Sequence, residues 1–159
     1  FNEDQKIAYV TQTTLSVDDT ISIIKAIKKK FKYVLEPRKN DICYATTNRQ
    51  EAVKKIAGKC DIFIVIGAKN SSNSLRLVEV AKHYGSKKSI LLENIEQFDE
   101  KILVNNTNIG ITASASAPEI LVQNFIIILK KKYDVLVHEQ EYVSENVIFK
   151  IPQQLKAVI

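Results

Sequence analysis

The sequence contains no methionine. A complete translation product begins with one, so Phe1 is expected to be an internal residue and the chain a fragment or a processed product. Cysteine is nearly as scarce. Cys43 and Cys60 are the only two, too far apart for a CxxC pair. They make no disulfide framework, which points to a reducing cytoplasm. No apolar run approaches the ~20 residues that a membrane-spanning helix needs, and no signal peptide is visible. HExxH, Walker A and GxGxxG patterns are absent, which weighs against zinc-protease, P-loop and Rossmann readings.

The 159 residues are 45% hydrophobic, the composition of a globular chain with a real core. Their number suits about one domain, or one domain plus part of another. The net charge is +5. Much of the excess sits in Lys28-Lys29-Lys30 and Lys130-Lys131-Lys132, at the predicted C-terminal ends of two helices, where cations complement the helix dipole. No aromatic or glycine interleaving and no recognised motif accompanies these lysines, so nucleic acid is not an expected partner, and without a long apolar run neither is a membrane. The charge can still assist an anionic substrate.

Short apolar runs alternate with amphipathic segments. Strands are expected over residues 6–10, 33–35, 61–67, 89–92 and 108–112. The run Ile62-Phe63-Ile64-Val65-Ile66 is apolar on both faces, as in a buried parallel sheet. Helices are expected from Ser16, over 47–57, over 72–84 and over 117–131. Ser16 with Asp19, Thr47 with Gln50, and Ser116 with Glu119 fit capping boxes. Gly58 and Gly85 fit helix stops. The tail offers two further strands, at 135–137 and 147–151. Strands alternating with helices predict an α/β fold, a parallel sheet with flanking helices.

In such a sheet, ligands bind beyond the carboxyl ends of the strands. Four polar turns can fall there: residues 11–16, the loop carrying Cys43, residues 67–74 and residues 112–119. Cys43 stands just ahead of a predicted helix, whose dipole favours a thiolate, the form a nucleophile or an iron ligand needs. Helix N-termini are ready anion sites, so the ligand implied is a phosphate or diphosphate. For any one turn taken alone, capping chemistry outranks ligand binding. The run from Asn70 to Ser74 exceeds what capping requires, because one helix needs one N-cap. Cys60 beside its apolar run reads as a small buried hydrophobe, and His83 and His138 read as structural.

The stretches TQTTLSVDDT, PRKNDICYATTNRQEAV, GAKNSSNS and ASAPEILVQN, with ENVIFKIP near the end, closely resemble the LytB family of 4-hydroxy-3-methylbut-2-enyl diphosphate reductases. The resemblance covers nearly the whole chain, through long and specific motifs. It implies three small α/β domains around a central 4Fe-4S cluster held by three cysteines, one per domain. Residues 1–40 then correspond to the end of the second domain and 41–159 to the third. The first domain and the start of the second lie outside this sequence, and with them two cluster cysteines, the catalytic glutamate and the substrate-binding histidines.

By the same resemblance, Cys43 is a cluster ligand, and Thr13 hydrogen-bonds the substrate near its hydroxyl, orienting it and relaying a proton. Ser71, Ser72, Asn73 and Ser116 bind the diphosphate. Gln12 and Thr14 support them from behind. The family commonly has glycine where Ser114 stands. Ser116 is preferred to Ser114 as the ligand-binding serine because Ala117-Pro118 follows it. The implied reaction is reductive dehydroxylation to isopentenyl and dimethylallyl diphosphate, the last step of the methylerythritol phosphate route to isoprenoids, with ferredoxin or flavodoxin as electron donor. The fragment alone is expected to be inactive. The competing expectation is a non-enzymatic α/β module that binds a phosphorylated metabolite, which leaves the placement of Cys43 among the polar turns unexplained.

Overall fold

A computed structural model describes residues 1–38, 40–104, 107–139 and 142. They form two parallel sheets. The smaller pairs β1 (Lys6–Ala8) with β2 (Tyr33–Leu35), Ile7 opposite Val34. Between them runs α1 (Val17–Lys30). The larger sheet places β3 (Ile62–Ile66) between β4 (Lys88–Leu92) and β5 (Ile109–Ala113), all parallel. Around it lie α2 (Tyr44–Ala57), α3 (Ser72–His83) and α4 (Glu119–Lys132).

Side chains alternate across a strand, and β3 uses both faces. Phe63 and Val65 join Val53 and Ala57 of α2 and Leu77, Val80 and Ala81 of α3 in one apolar cluster. Ile62, Ile64 and Ile66 join Leu92, Phe125 and Leu129 in the other, on the side of α4. Every residue of β3 is buried, which is why its sequence carries no polar alternation. Phe98 meets Phe125 edge to face at 5.0 Å and closes the α4 side. After α3 the chain turns at Gly85 with φ +100°, a left-handed conformation that glycine adopts without strain.

Several expectations are corrected. Residues 135–137 are not a strand: Val135 packs against the α4-side cluster and Leu136 is exposed. An apolar triplet meets the local pattern of a strand, but a strand exists only through a ladder partner. The expected strand at 147–151, and ENVIFKIP with it, lies outside the described residues. α2 begins at Tyr44, with Cys43 as its N-cap. Thr47 therefore lies inside the first turn, its N–H donating to the Cys43 carbonyl at 2.9 Å, and the Thr47–Gln50 capping box does not form. α4 begins at Glu119, and its N-cap is Pro118 with no side-chain cap bond. Ser116 therefore does not cap it. Ser16 does cap α1, its Oγ accepting from the Asp19 N–H at 3.2 Å.

Candidate functional site

The four polar turns follow β1, β2, β3 and β5, at the carboxyl ends of parallel strands. The first two are bonded to each other. The Cys43 N–H donates to the Thr13 carbonyl at 3.1 Å, and the Thr11 N–H donates to Asp41 Oδ2 at 2.8 Å. Thr13 and Cys43 are both exposed. The Cys43 thiol opens onto a shallow depression lined by Asn40, Ile42, Tyr44, Thr47 and Asn48. It makes no cap bond to its own helix, and the first turn of α2 carries no acidic residue, so nothing anionic competes for the positive end of the dipole. Gln12 is exposed and Thr14 half-buried in the same turn.

The third and fourth turns meet across β3 and β5. The Ser114 N–H donates to the Ile66 carbonyl at 2.9 Å. A Cβ placed on Gly67 would stand 2.3 Å from Ser74 Oγ and 2.8 Å from Ser114 Oγ, so both hydroxyls crowd one point where only glycine fits. Ser71 caps α3, its Oγ accepting from the Ser74 N–H at 3.3 Å. Asn73 is 6% exposed, and neither its Oδ1 nor its Nδ2 has a hydrogen-bond partner. Among the described residues five buried side-chain polar atoms lack a partner, and four of them belong to Asn73, Ser74 and Ser114. Buried polar groups are nearly always bonded, and leaving one unmade costs about 1–3 kcal/mol. These atoms gather at the start of α3 and in the adjoining turn after β5, around Gly67. The first turn of α3 also lacks an acidic residue, which suits an anion.

The predicted residues thus fall into two groups. Thr13 and Cys43 are adjacent. Ser71, Ser72 and Asn73 occupy the start of α3, next to the fourth turn with its exposed Ser116. Sequence reasoning placed Gly67 and Ser74 in the third polar turn and Ser114 in the fourth without giving Gly67 or Ser74 a role of its own, and it weighed Ser114 against Ser116. The available signal was the unbroken small polar run after β3. Cys60 belongs to neither group. Its Sγ donates to the Ile56 carbonyl at 3.3 Å, and burial, then the neighbouring Asp61 carboxylate, push its thiol above the ordinary range. Among the described residues, no group of three or more His, Cys, Asp or Glu is placed to hold a metal ion. No helix there is long and apolar enough to cross a membrane.

A family of sequences described as LytB protein matches residues 1–130. The 4-hydroxy-3-methylbut-2-enyl diphosphate reductase of Roseobacter denitrificans is 50% identical over 151 residues, which is 95% of this chain and 48% of that protein. The enzyme of the same name from Serratia proteamaculans is 47% identical over 99% of this chain and 49% of its own length. Among solved structures, the E-1-hydroxy-2-methyl-but-2-enyl-4-diphosphate reductase of Plasmodium falciparum superposes with a TM-score of 0.89 at 37% identity. That match covers 99% of this chain and 50% of the other. The chain spans about half the length of the curated relatives it matches.

Proposed function

The chain belongs to the LytB family, and on that premise we propose that the polypeptide containing it is an iron–sulfur oxidoreductase, a 4-hydroxy-3-methylbut-2-enyl diphosphate reductase. The observation that carries this reading is the buried, unpartnered Asn73 at the N-terminus of α3. It supports an anionic ligand anchored away from the thiol of Cys43.

The diphosphate is gripped at the third and fourth turns. Ser71, Ser72 and Ser116 offer hydroxyls, Asn73 its amide, and α3 its free N–H groups. Thr13 orients the substrate hydroxyl and passes a proton toward it, a positioning role. Gln12 and Thr14 hold that turn. The balance is R–OH + 2e⁻ + 2H⁺ → R–H + H₂O. The substrate's C–O bond breaks, its oxygen leaves as water, and the products are isopentenyl and dimethylallyl diphosphate.

The exposed, uncapped Cys43 thiol at a helix start fits one ligand of a 4Fe-4S cluster. Cys60, half-buried and bonded to Ile56, does not. The remaining ligands come from other parts of the longer polypeptide. A cluster held there would supply the two electrons, with a ferredoxin or flavodoxin of the bacterial cytoplasm as their source. Residues 1–40 end one α/β domain and 41–159 form the next. What supports that division is that β1 and β2 share no ladder with β3, β4 and β5.

The test uses the longer polypeptide, purified without oxygen, with the hydroxylated diphosphate and a reductant. The expected result is brown protein and both products, and loss of cluster and turnover in Cys43→Ser. A Cys43→Ser variant that keeps both would sink the assignment. Colourless protein that binds diphosphate without turnover would make the chain part of a non-enzymatic module. The 159-residue chain alone is expected to be inactive.

A further inference from the structure

The turn that carries Thr13 is tied to the segment that carries Cys43 by four hydrogen bonds, one at every second residue. The Thr11 N–H donates to Asp41 Oδ2 at 2.8 Å. The Thr13 carbonyl accepts from the Cys43 N–H at 3.1 Å. The Leu15 carbonyl accepts from Gln50 Nε2 at 2.9 Å, and the Val17 N–H donates to Gln50 Oε1 at 3.0 Å. Gln50 is wholly buried, and both ends of its amide are used on backbone flanking Ser16, the cap of α1. A side chain so placed recognises main chain, and any change of shape or of donor breaks a bond that water cannot replace.

We infer that Asp41 and Gln50 are positioning residues that fix the Thr13 turn in register with Cys43. This deepens the function proposed above and rests on it for its effect on turnover. α2 serves as the shared ruler. Its N-cap is Cys43, and two turns later its Gln50 fork holds the far side of the same loop. Neither side chain is assigned a contact with substrate. Loosening either one lets the Thr13 hydroxyl drift relative to the thiol, while the anchor at α3 stays as it is. The signature is therefore a loss in kcat with little change in KM, because displacement of a reacting group by about an ångström costs up to ~100-fold in rate.

The experiment compares Asp41→Ala, Asp41→Asn and Gln50→Met in the longer polypeptide, by steady-state kinetics and by amide hydrogen exchange of the segment 11–17. Asp41→Ala and Gln50→Met are expected to lower kcat about 10- to 100-fold with KM changed less than about two-fold, and to speed exchange in segment 11–17 but not in 67–74. Asp41→Asn keeps an acceptor for the Thr11 N–H and is expected to restore both readouts. Wild-type kcat in Asp41→Ala and Gln50→Met, a parallel rise in KM, or an Asp41→Asn that behaves like Asp41→Ala would overturn the inference. Should Gln50→Met not fold, Asp41→Ala against Asp41→Asn decides alone. If the wild-type polypeptide has no reductase activity, the function proposed above fails, and the exchange comparison still accepts or rejects the lock.

Discussion

The main-chain N–H of Cys43 donates to the carbonyl oxygen of Thr13 at 3.1 Å. The two residues lie 30 positions apart in the chain, on the turns after β1 and β2. The thiol and the threonine hydroxyl are therefore held on one stretch of bonded backbone, while the polar groups for an anion are held separately at the start of α3. Changes at the two places have separable effects.

Asn73→Ala is expected to raise KM for the diphosphate by about 10-fold or more, the loss of one hydrogen bond to a charged group. Its effect on stability runs the other way. Both polar atoms of Asn73 are buried without a partner, so removing them leaves unfolding free energy unchanged or slightly raised. Thermal unfolding without ligand, beside KM, checks both. A lowered melting temperature with unchanged KM would make Asn73 a structural residue.

Ser71 and Ser116 differ in the same pair of measurements. Ser71 Oγ caps α3, so Ser71→Ala is expected to cost about 1 kcal/mol of stability as well as substrate affinity. Ser116 does not cap α4, so Ser116→Ala is expected to weaken substrate binding with stability unchanged.

Gly67→Ala forces a methyl group to 2.3 Å from Ser74 Oγ and 2.8 Å from Ser114 Oγ. Overpacking of this kind costs about 1–3 kcal/mol and swings both hydroxyls out of place. Ser74→Ala in the same chain removes the nearer oxygen, so the double variant is expected to be less destabilised than the sum of the two singles. Strict additivity by urea unfolding would show that the crowding does not exist.

Asp18 accepts from Lys54 Nζ at 2.7 Å and from Tyr84 Oη at 2.6 Å. The Lys54 bond first, then the Tyr84 bond, hold its carboxyl below the ordinary value of 3.8. A lowered carboxylate contributes stability that is fully present above the unfolded value and is lost as pH falls through the folded one. Lys54→Met removes the larger part of that contribution and leaves the Tyr84 bond in place. The stability gap between wild type and variant is expected to be constant from neutral pH down to about pH 5, and to shrink below about pH 4. Asp18 is half-exposed, so the gap is small, about 1 kcal/mol or less. A gap that does not narrow in acid would assign the effect of the variant to packing.

The strand β2 matched its expected range, and β3, β4 and β5 lie within a residue of theirs. Their apolar runs are short, bounded by polar turns, and decided by burial that the composition of the run already reports. α1 with its Ser16 cap and α3 were legible for the same local reason. The starts of α2 and α4 were not. Thr47–Gln50 and Ser116–Glu119 satisfy the capping pattern as well as Ser16–Asp19 does. Which hydroxyl caps depends on where the preceding chain is anchored, and for α2 that anchor is the Thr13 carbonyl, a bond between distant residues.

By itself the sequence determined the α/β alternation, the two-faced burial of β3, and the polar turns that carry Cys43, Thr13 and Asn73. Each follows from residue type and spacing within about ten positions. Only the tertiary structure decided that Gln50 faces the Leu15–Val17 backbone and not its own helix end. It alone decided that Ser74 and Ser114 converge on Gly67, and that the amide of Asn73 is buried with nothing to bond. Those facts depend on which surfaces meet when α2, α3 and β5 pack on β3, and a pairing of distant surfaces leaves no periodicity in the chain to read.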